Sequence, residues 1–161
     1  MIALTILNIV VLVGCGAGKD AAPTSRLAVI RRAPEFALST QAGQTLRSSD
    51  VRDKVLIVSF IFTTCNGTCP ATTHRMSQVQ QELKTRGLCN DDCVRLLSIT
   101  LDPVRDTAEV LTAYMRLYDV DAASWSFLTG PPDQVARTIE AWGMWARPAS
   151  NGQLEIGRAH V

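Results

Sequence analysis

The chain has 161 residues, 47% of them hydrophobic, and 16 Lys and Arg against 15 Asp and Glu leave a net charge of +1. That size suits one compact domain with an adequate core, and so even a balance supplies no basic field for nucleic acid. Five cysteines fit an exported protein if one is set aside and the other four form two local pairs.

Residues 1 to 18 carry no charged side chain, and Ile2 to Val13 is an apolar stretch broken only by Thr5 and Asn8, too short to span a bilayer comfortably. It reads as the core of a signal peptide. It runs into Leu12-Val13-Gly14-Cys15, which resembles a bacterial lipobox, whose cysteine is lipidated and becomes the first residue after cleavage. Cys15 is then an anchor. The Lys or Arg usual near a signal start is missing, so an uncleaved membrane anchor and a buried strand stand as alternatives for residues 1 to 15. Residues 16 to 33, with Gly18 and Pro23 among small residues, read as a tether, and the folded domain as residues 34 to 161.

Phe36-Ala37-Leu38 with Gly43 and Leu46 predicts a small hairpin, and Ser48-Ser49-Asp50 a helix start or turn. Lys54 to Phe62 is a nearly unbroken β-branched and aromatic run, the pattern of a strand buried on both faces, and is expected at the centre of the sheet. From Pro70 to Arg86, Met76, Val79 and Leu83 recur at helical spacing, and Gly87 stops the helix. Val94 to Thr100 is the next strand, Asp106 to Tyr118 a capped helix with a stripe through Val110, Leu111, Tyr114 and Leu117. Trp125 to Thr129 is a short strand closed by Gly130-Pro131-Pro132, and Asp133 to Trp142 a third helix ending at Gly143. Strands and helices alternate. The order predicts a single α/β domain of the thioredoxin-like kind, a central mixed sheet flanked by helices.

Chemistry concentrates where the apolar strand ends. Cys65-Asn66-Gly67-Thr68-Cys69-Pro70 combines a turn signal with a proline suited to the first helical position, which puts Cys69 at the N-cap and predicts a depressed thiol pKa there. Cysteines four apart across such a turn can bring both sulfurs to one side, to bridge each other or to grip one ion. Two thiolates favour Cu(I) or zinc, and an imidazole, which the solitary His160 could supply, admits Cu(II); hard cations would need oxygen ligands. An inert disulfide stapling the corner is the alternative. His74, five residues past Cys69, reads as a solvated helix residue and is the fallback ligand. Cys89 and Cys93 sit in a polar loop, where a loop-closing disulfide or a second metal or redox pair are both open.

Three blocks, Phe60 to Pro70, Leu97 to Thr107 and Trp125 to Gly130, together resemble the Sco/SenC family over roughly residues 34 to 160. The resemblance implies a thioredoxin-fold copper chaperone, tethered to a membrane in the bacterial cell envelope and facing the periplasm, rather than an enzyme. It maps copper ligands onto Cys65, Cys69 and His160, and an acidic group beside the site onto Asp102. The implied recipient is the copper-bearing subunit of cytochrome c oxidase, with a thiol reductant or another copper chaperone as further partner. Asn66-Gly67-Thr68 departs from the commoner hydrophobic residue before the second cysteine. Val161 follows the histidine directly, whereas the family continues with a terminal hairpin and helix, so the domain is expected to be truncated there.

A rival reading is an exported thiol–disulfide oxidoreductase that attacks through Cys65 or Cys69 without metal. The three-residue spacer, the absence of tryptophan before Cys65 and the extra histidine count against it. A peroxidase is weaker still, because Phe62 stands where a peroxidatic site wants threonine.

Overall fold

The computed structural model describes residues 32 to 88, 93 to 150 and 152 to 158, and those from Ala33 onward belong to one compact unit. Cys15 and the leader, Cys89 and His160 lie outside the described residues.

The chain enters through the hairpin β1 (Ala37–Thr40) and β2 (Thr45–Arg47), then a 3-10 turn at Ser48–Val51. It continues through β3 (Val55–Ile61), α1 (Thr68–Thr85), β4 (Val94–Thr100), α2 (Ala108–Arg116), β5 (Trp125–Thr129) and α3 (Pro132–Ala141). Its last described elements are β6 (Met144–Pro148) and β7 (Leu154–Arg158). The main sheet has the order β2-β1-β5-β4-β3, with β3, β4 and β5 parallel and β1 antiparallel to both neighbours. The α/β fold with a mixed sheet flanked by helices is the predicted one.

Strand alternation splits the core into two layers. Leu97 and Ile99 of β4 and Leu128 of β5 face Phe36, Leu38, Val51 and, from α3, Val135 and Ile139. Leu96, Trp125, Phe127 and Ile61 point the other way, onto Met76 of α1 and Leu111, Tyr114 and Met115 of α2. Successive Cβ atoms of a strand point to opposite faces, so one pass of β4 serves both layers. On the α1/α2 side the Trp125 indole donates to Ser98 Oγ (3.0 Å), which meets Ser59 Oγ at 2.8 Å, so these polar atoms are buried with partners.

Two expectations are corrected. β3 is not central: among the described residues it is an edge strand and β4 lies inside. An apolar run reports burial of the two faces of a strand, and β3 has neighbours on both, Ile57 in one layer and Leu56, Val58 and Phe60 against the other. Faces say nothing about how many edges pair. The hairpin β6–β7 is an addition beyond the last predicted helix. Its turn needs Gly152 at φ 76°, a conformation glycine adopts without cost. Opposite Trp145 stands Gly157, where a Cβ would come within 2.3 Å of the indole ring, so the ring lies across bare backbone.

α1 is locked to the loop before β5 by Gln80. Its side chain, fully buried, donates to Asp121 O (2.8 Å) and Ser124 Oγ (2.9 Å) and accepts from Asp121 N (3.0 Å). Lys84 adds an ion pair to Asp121 at 2.7 Å, largely in solvent. Truncating Gln80 strands buried partners, whereas truncating Lys84 loses a screened pair. Gln80→Ala is therefore expected to cost about 2 to 4 kcal/mol in urea unfolding, and Lys84→Ala less than about 1 kcal/mol; equal losses would refute the lock.

Candidate metal centre

The parallel strands β3 and β4 bring their C-terminal ends together, Ile61 beside Thr100, and the loops leaving those ends build the site. Beyond β3 the chain turns at once, Cys65 N–H donating to Phe62 O at 3.2 Å, and α1 begins at Thr68 with Gly67 as its N-cap. The helix thus starts two residues before the predicted point. Cys69 is its second residue, still among the N–H groups that have no partner within a helix, and Pro70, which has no N–H to leave unpaired, is its third.

That shift reverses the predicted roles of the two thiols. Partial burial works to raise the Cys65 pKa, but hydrogen bonds from the Cys69 thiol and from the backbone at Cys69, Gly67 and Thr68 outweigh it, and the thiol ends below its ordinary value. Cys69 goes the other way. Burial, with the hydrogen bond it gives to Cys65, pushes it up to about 11, and the carboxylate of Asp106 adds to the rise. The prediction of a depressed Cys69 is therefore corrected: the N–H groups at the start of α1 converge on the sulfur that lies ahead of the helix. The two thiols act on each other through a hydrogen bond, one half-buried and one buried, and both are free.

Cys65 opens onto a cavity of about 500 Å3, walled by Phe62, Thr64 and Arg105 and by the β6–β7 turn at Gly152 to Leu154. The hairpin missed in the sequence is therefore part of the site. Arg105 ties the two walls together, its guanidinium donating to Gly152 O (3.0 Å) and pairing with Asp102 Oδ2 at 3.1 Å. Asp102 reaches the rim through Arg105. The acid that touches the cysteine loop is Asp106, four residues on: fully buried, it accepts from Thr63 N–H (3.2 Å), Thr63 Oγ1 (2.5 Å) and Thr100 Oγ1 (2.5 Å). In the sequence Asp106 reads as a helix cap, and the signal for its role here is its place as the second acid of Asp102-Pro103-Val104-Arg105-Asp106-Thr107.

His74 is exposed on α1, its ring beside the Gln78 amide at 3.3 Å. Cys93 is exposed and unbridged. Among the described residues no cluster of three or more His, Cys, Asp and Glu could hold a metal, so the described donors are the two sulfurs. Among them, too, no helix is long and apolar enough to cross a membrane.

Comparison with known proteins places the site in context. The family model described as SCO1/SenC matches residues 27–160. A Stutzerimonas stutzeri protein described as copper-binding is 28% identical over 130 residues, 81% of this chain and 61% of its own length. The solved SCO1/SenC family lipoprotein of Bacillus anthracis superposes with a TM-score of 0.69 at 27% identity, covering 77% of this chain and 73% of the other. A structure concerned with a disulfide switch in BsSco, a member of the Sco family of cytochrome c oxidase assembly proteins, gives 0.59 at 28% identity, covering 66% and 60%. The chain spans about half to three fifths of the length of the curated relatives it matches first, 47% and 61%.

In the reduced, metal-free protein a lowered pKa means that the Cys65 thiolate is already present below the pH of an ordinary cysteine, and a raised one that Cys69 stays protonated far into the alkaline range. Iodoacetamide labelling located by peptide mapping is expected to modify Cys65 first as pH rises, with Cys69 following only toward about pH 11. Labelling of Cys69 first would invert the assignment.

Proposed function

The chain belongs to the SCO1/SenC family, and on that premise we propose that it is a copper metallochaperone, which takes its cargo on Cys65, Cys69 and His160 and assists assembly of the copper centre of cytochrome c oxidase. The observation that carries this reading is the pair of free, mutually hydrogen-bonded thiols at the sheet end, one of them facing a cavity. Soft thiolates select copper or zinc over hard cations, and the S. stutzeri relative is described as copper-binding. Two sulfur ligands and one imidazole leave a side of the ion open, through which a cysteine-rich acceptor on the oxidase subunit can replace the donors one at a time. Oxidation of the two thiols by a partner disulfide removes both ligands together, so the redox state of the pair gates the cargo, and a thiol reductant restores it. The disulfide switch of BsSco is in keeping with such gating. Asp102 holds the rim through Arg105. Lipidation at Cys15, as in the B. anthracis lipoprotein, would tether the domain to the envelope membrane on its periplasmic side.

A second reading, an exported thiol–disulfide oxidoreductase, is favoured by one observation: the accessible Cys65 is the more acidic thiol and the buried Cys69 the less acidic, the asymmetry of an attacking and a resolving sulfur.

Copper titration of the reduced protein separates the two. A thiolate-to-copper charge-transfer band is expected, lost in Cys65→Ser and Cys69→Ser, with affinity falling at least about tenfold in His160→Ala. Equal binding by wild type and His160→Ala would remove that ligand from the set, and steady metal-free turnover of a model disulfide with no copper band would favour the oxidoreductase.

A further inference from the structure

The Asp102-Pro103-Val104-Arg105-Asp106-Thr107 block contributes one group that copper binding itself does not use, the carboxylate of Asp106. Backbone bonds from Arg105 N and Asp106 N to Asp102 O (3.1 and 2.9 Å) close the turn, Thr107 Oγ1 caps α2 by accepting from Val110 N, and Asp106 is left pointing inward. It is fully buried and forms no ion pair among the described residues. Desolvating a carboxylate without a cation is costly, and a neutral side chain would close the same turn more cheaply. The donors it has found are specific. Thr63 spends both its N–H and its hydroxyl on it, and Thr100 its hydroxyl. Thr63 lies two residues before Cys65 and follows Phe62, whose backbone bonds the Cys69 sulfur, while Thr100 ends β4.

We propose that Asp106 is the positioning residue of the thiol pair: its buried carboxylate bolts the exit of β3 at Thr63 to the end of β4 at Thr100, and thereby fixes where Cys65 stands relative to Cys69. The inference rests on the copper reading and deepens it. β3 is an edge strand among the described residues and its last residues have only β4 beside them, so this cross-strand bolt is what stops the loop from splaying. A metal held by two sulfurs on opposite sides of a turn is sensitive to such supports, because a loose first turn spreads the sulfurs over many separations and only a few of them fit the ion.

The test compares Asp106→Ala, Asp106→Asn and Thr63→Val, with Leu38→Ala, a truncation in the opposite core layer, as a stability control. Copper(I) affinity by chelator competition, the position of the Cu(II) charge-transfer band, far-UV circular dichroism and Tm are read on each. Asp106→Ala and Thr63→Val are expected to weaken copper by about tenfold or more and to move the band. Asp106→Asn, which keeps an oxygen for Thr63 and offers an amide to Thr100 Oγ1, should restore most of the affinity and the band position. Leu38→Ala should lower Tm and leave the band in place. Wild-type affinity and spectrum in folded Asp106→Ala or Thr63→Val, or a band moved as far by Leu38→Ala, would overturn the proposal. If Asp106→Ala does not fold, Thr63→Val and Asp106→Asn decide alone. A wild-type protein with no copper band at all is a different failure, that of the copper reading.

Discussion

The site depends on one unmet demand of the backbone. A helix begins with N–H groups that have no partner inside it, and at the start of α1 the groups at Gly67, Thr68 and Cys69 turn to a sulfur instead of water or a capping oxygen. Gly67 at the N-cap carries no side chain to compete for them. The consequence is that negative charge is favoured on Cys65, outside the helix, while Cys69, wound into the first turn and buried, acts as donor to its neighbour. Everything else nearby holds that arrangement in place: the parallel β3–β4 pairing, the Asp106 bolt and the hairpin turn across the cavity.

Much of this was legible in the sequence. Val94 to Thr100 and Trp125 to Thr129 have the same bounds as β4 and β5, because runs of buried apolar residues ended by a turn leave little freedom. The helices fell within about two residues of their places, the usual uncertainty of helix ends. What failed was information that a one-dimensional pattern does not contain. The apolar character of Lys54 to Phe62 reports two covered faces, not a position in the strand order. The cap was assigned to Cys69 because Pro70 suits a first helical position, yet a proline is tolerated anywhere in the first turn, and the two-residue difference exchanges the acidities of the thiols. The hairpin did have a signal, Asn151-Gly152 between Trp145 and Leu154, the strongest short-range mark of such a turn.

Of the two acids in the Asp-Pro block, the sequence favours the first only by resemblance, and the structure separates them by their partners. Asp102 neutralises a half-exposed arginine and is coupled through it to the rim at Gly152. Asp106 is fully buried and held by the hydroxyl and amide donors of Thr63 and Thr100, with no ion pair among the described residues. The first acid bears on what approaches the rim, the second on where the groups it touches stand.

The asymmetry of the sulfurs bears on how one loop would serve both the proposed cargo binding and the proposed redox gating. A symmetrical pair of exposed thiolates would bind a soft ion well but would also oxidise readily, since both sulfurs would be ionised and accessible. Here only Cys65 faces the cavity, and Cys69 is reached after it. An incoming ion or disulfide therefore meets the more acidic sulfur first, and once Cys65 is bonded its thiolate no longer raises the Cys69 pKa, which leaves burial and Asp106 as what holds the second proton. A bound cation expels that proton because it lowers the pKa of a coordinating thiol outright, and in a mixed disulfide the departing thiolate can take it up. The same order of contact, Cys65 first and Cys69 second, therefore suits both the closing of a soft-ion site and the closing of a disulfide, which is the coupling on which the proposed redox gating depends.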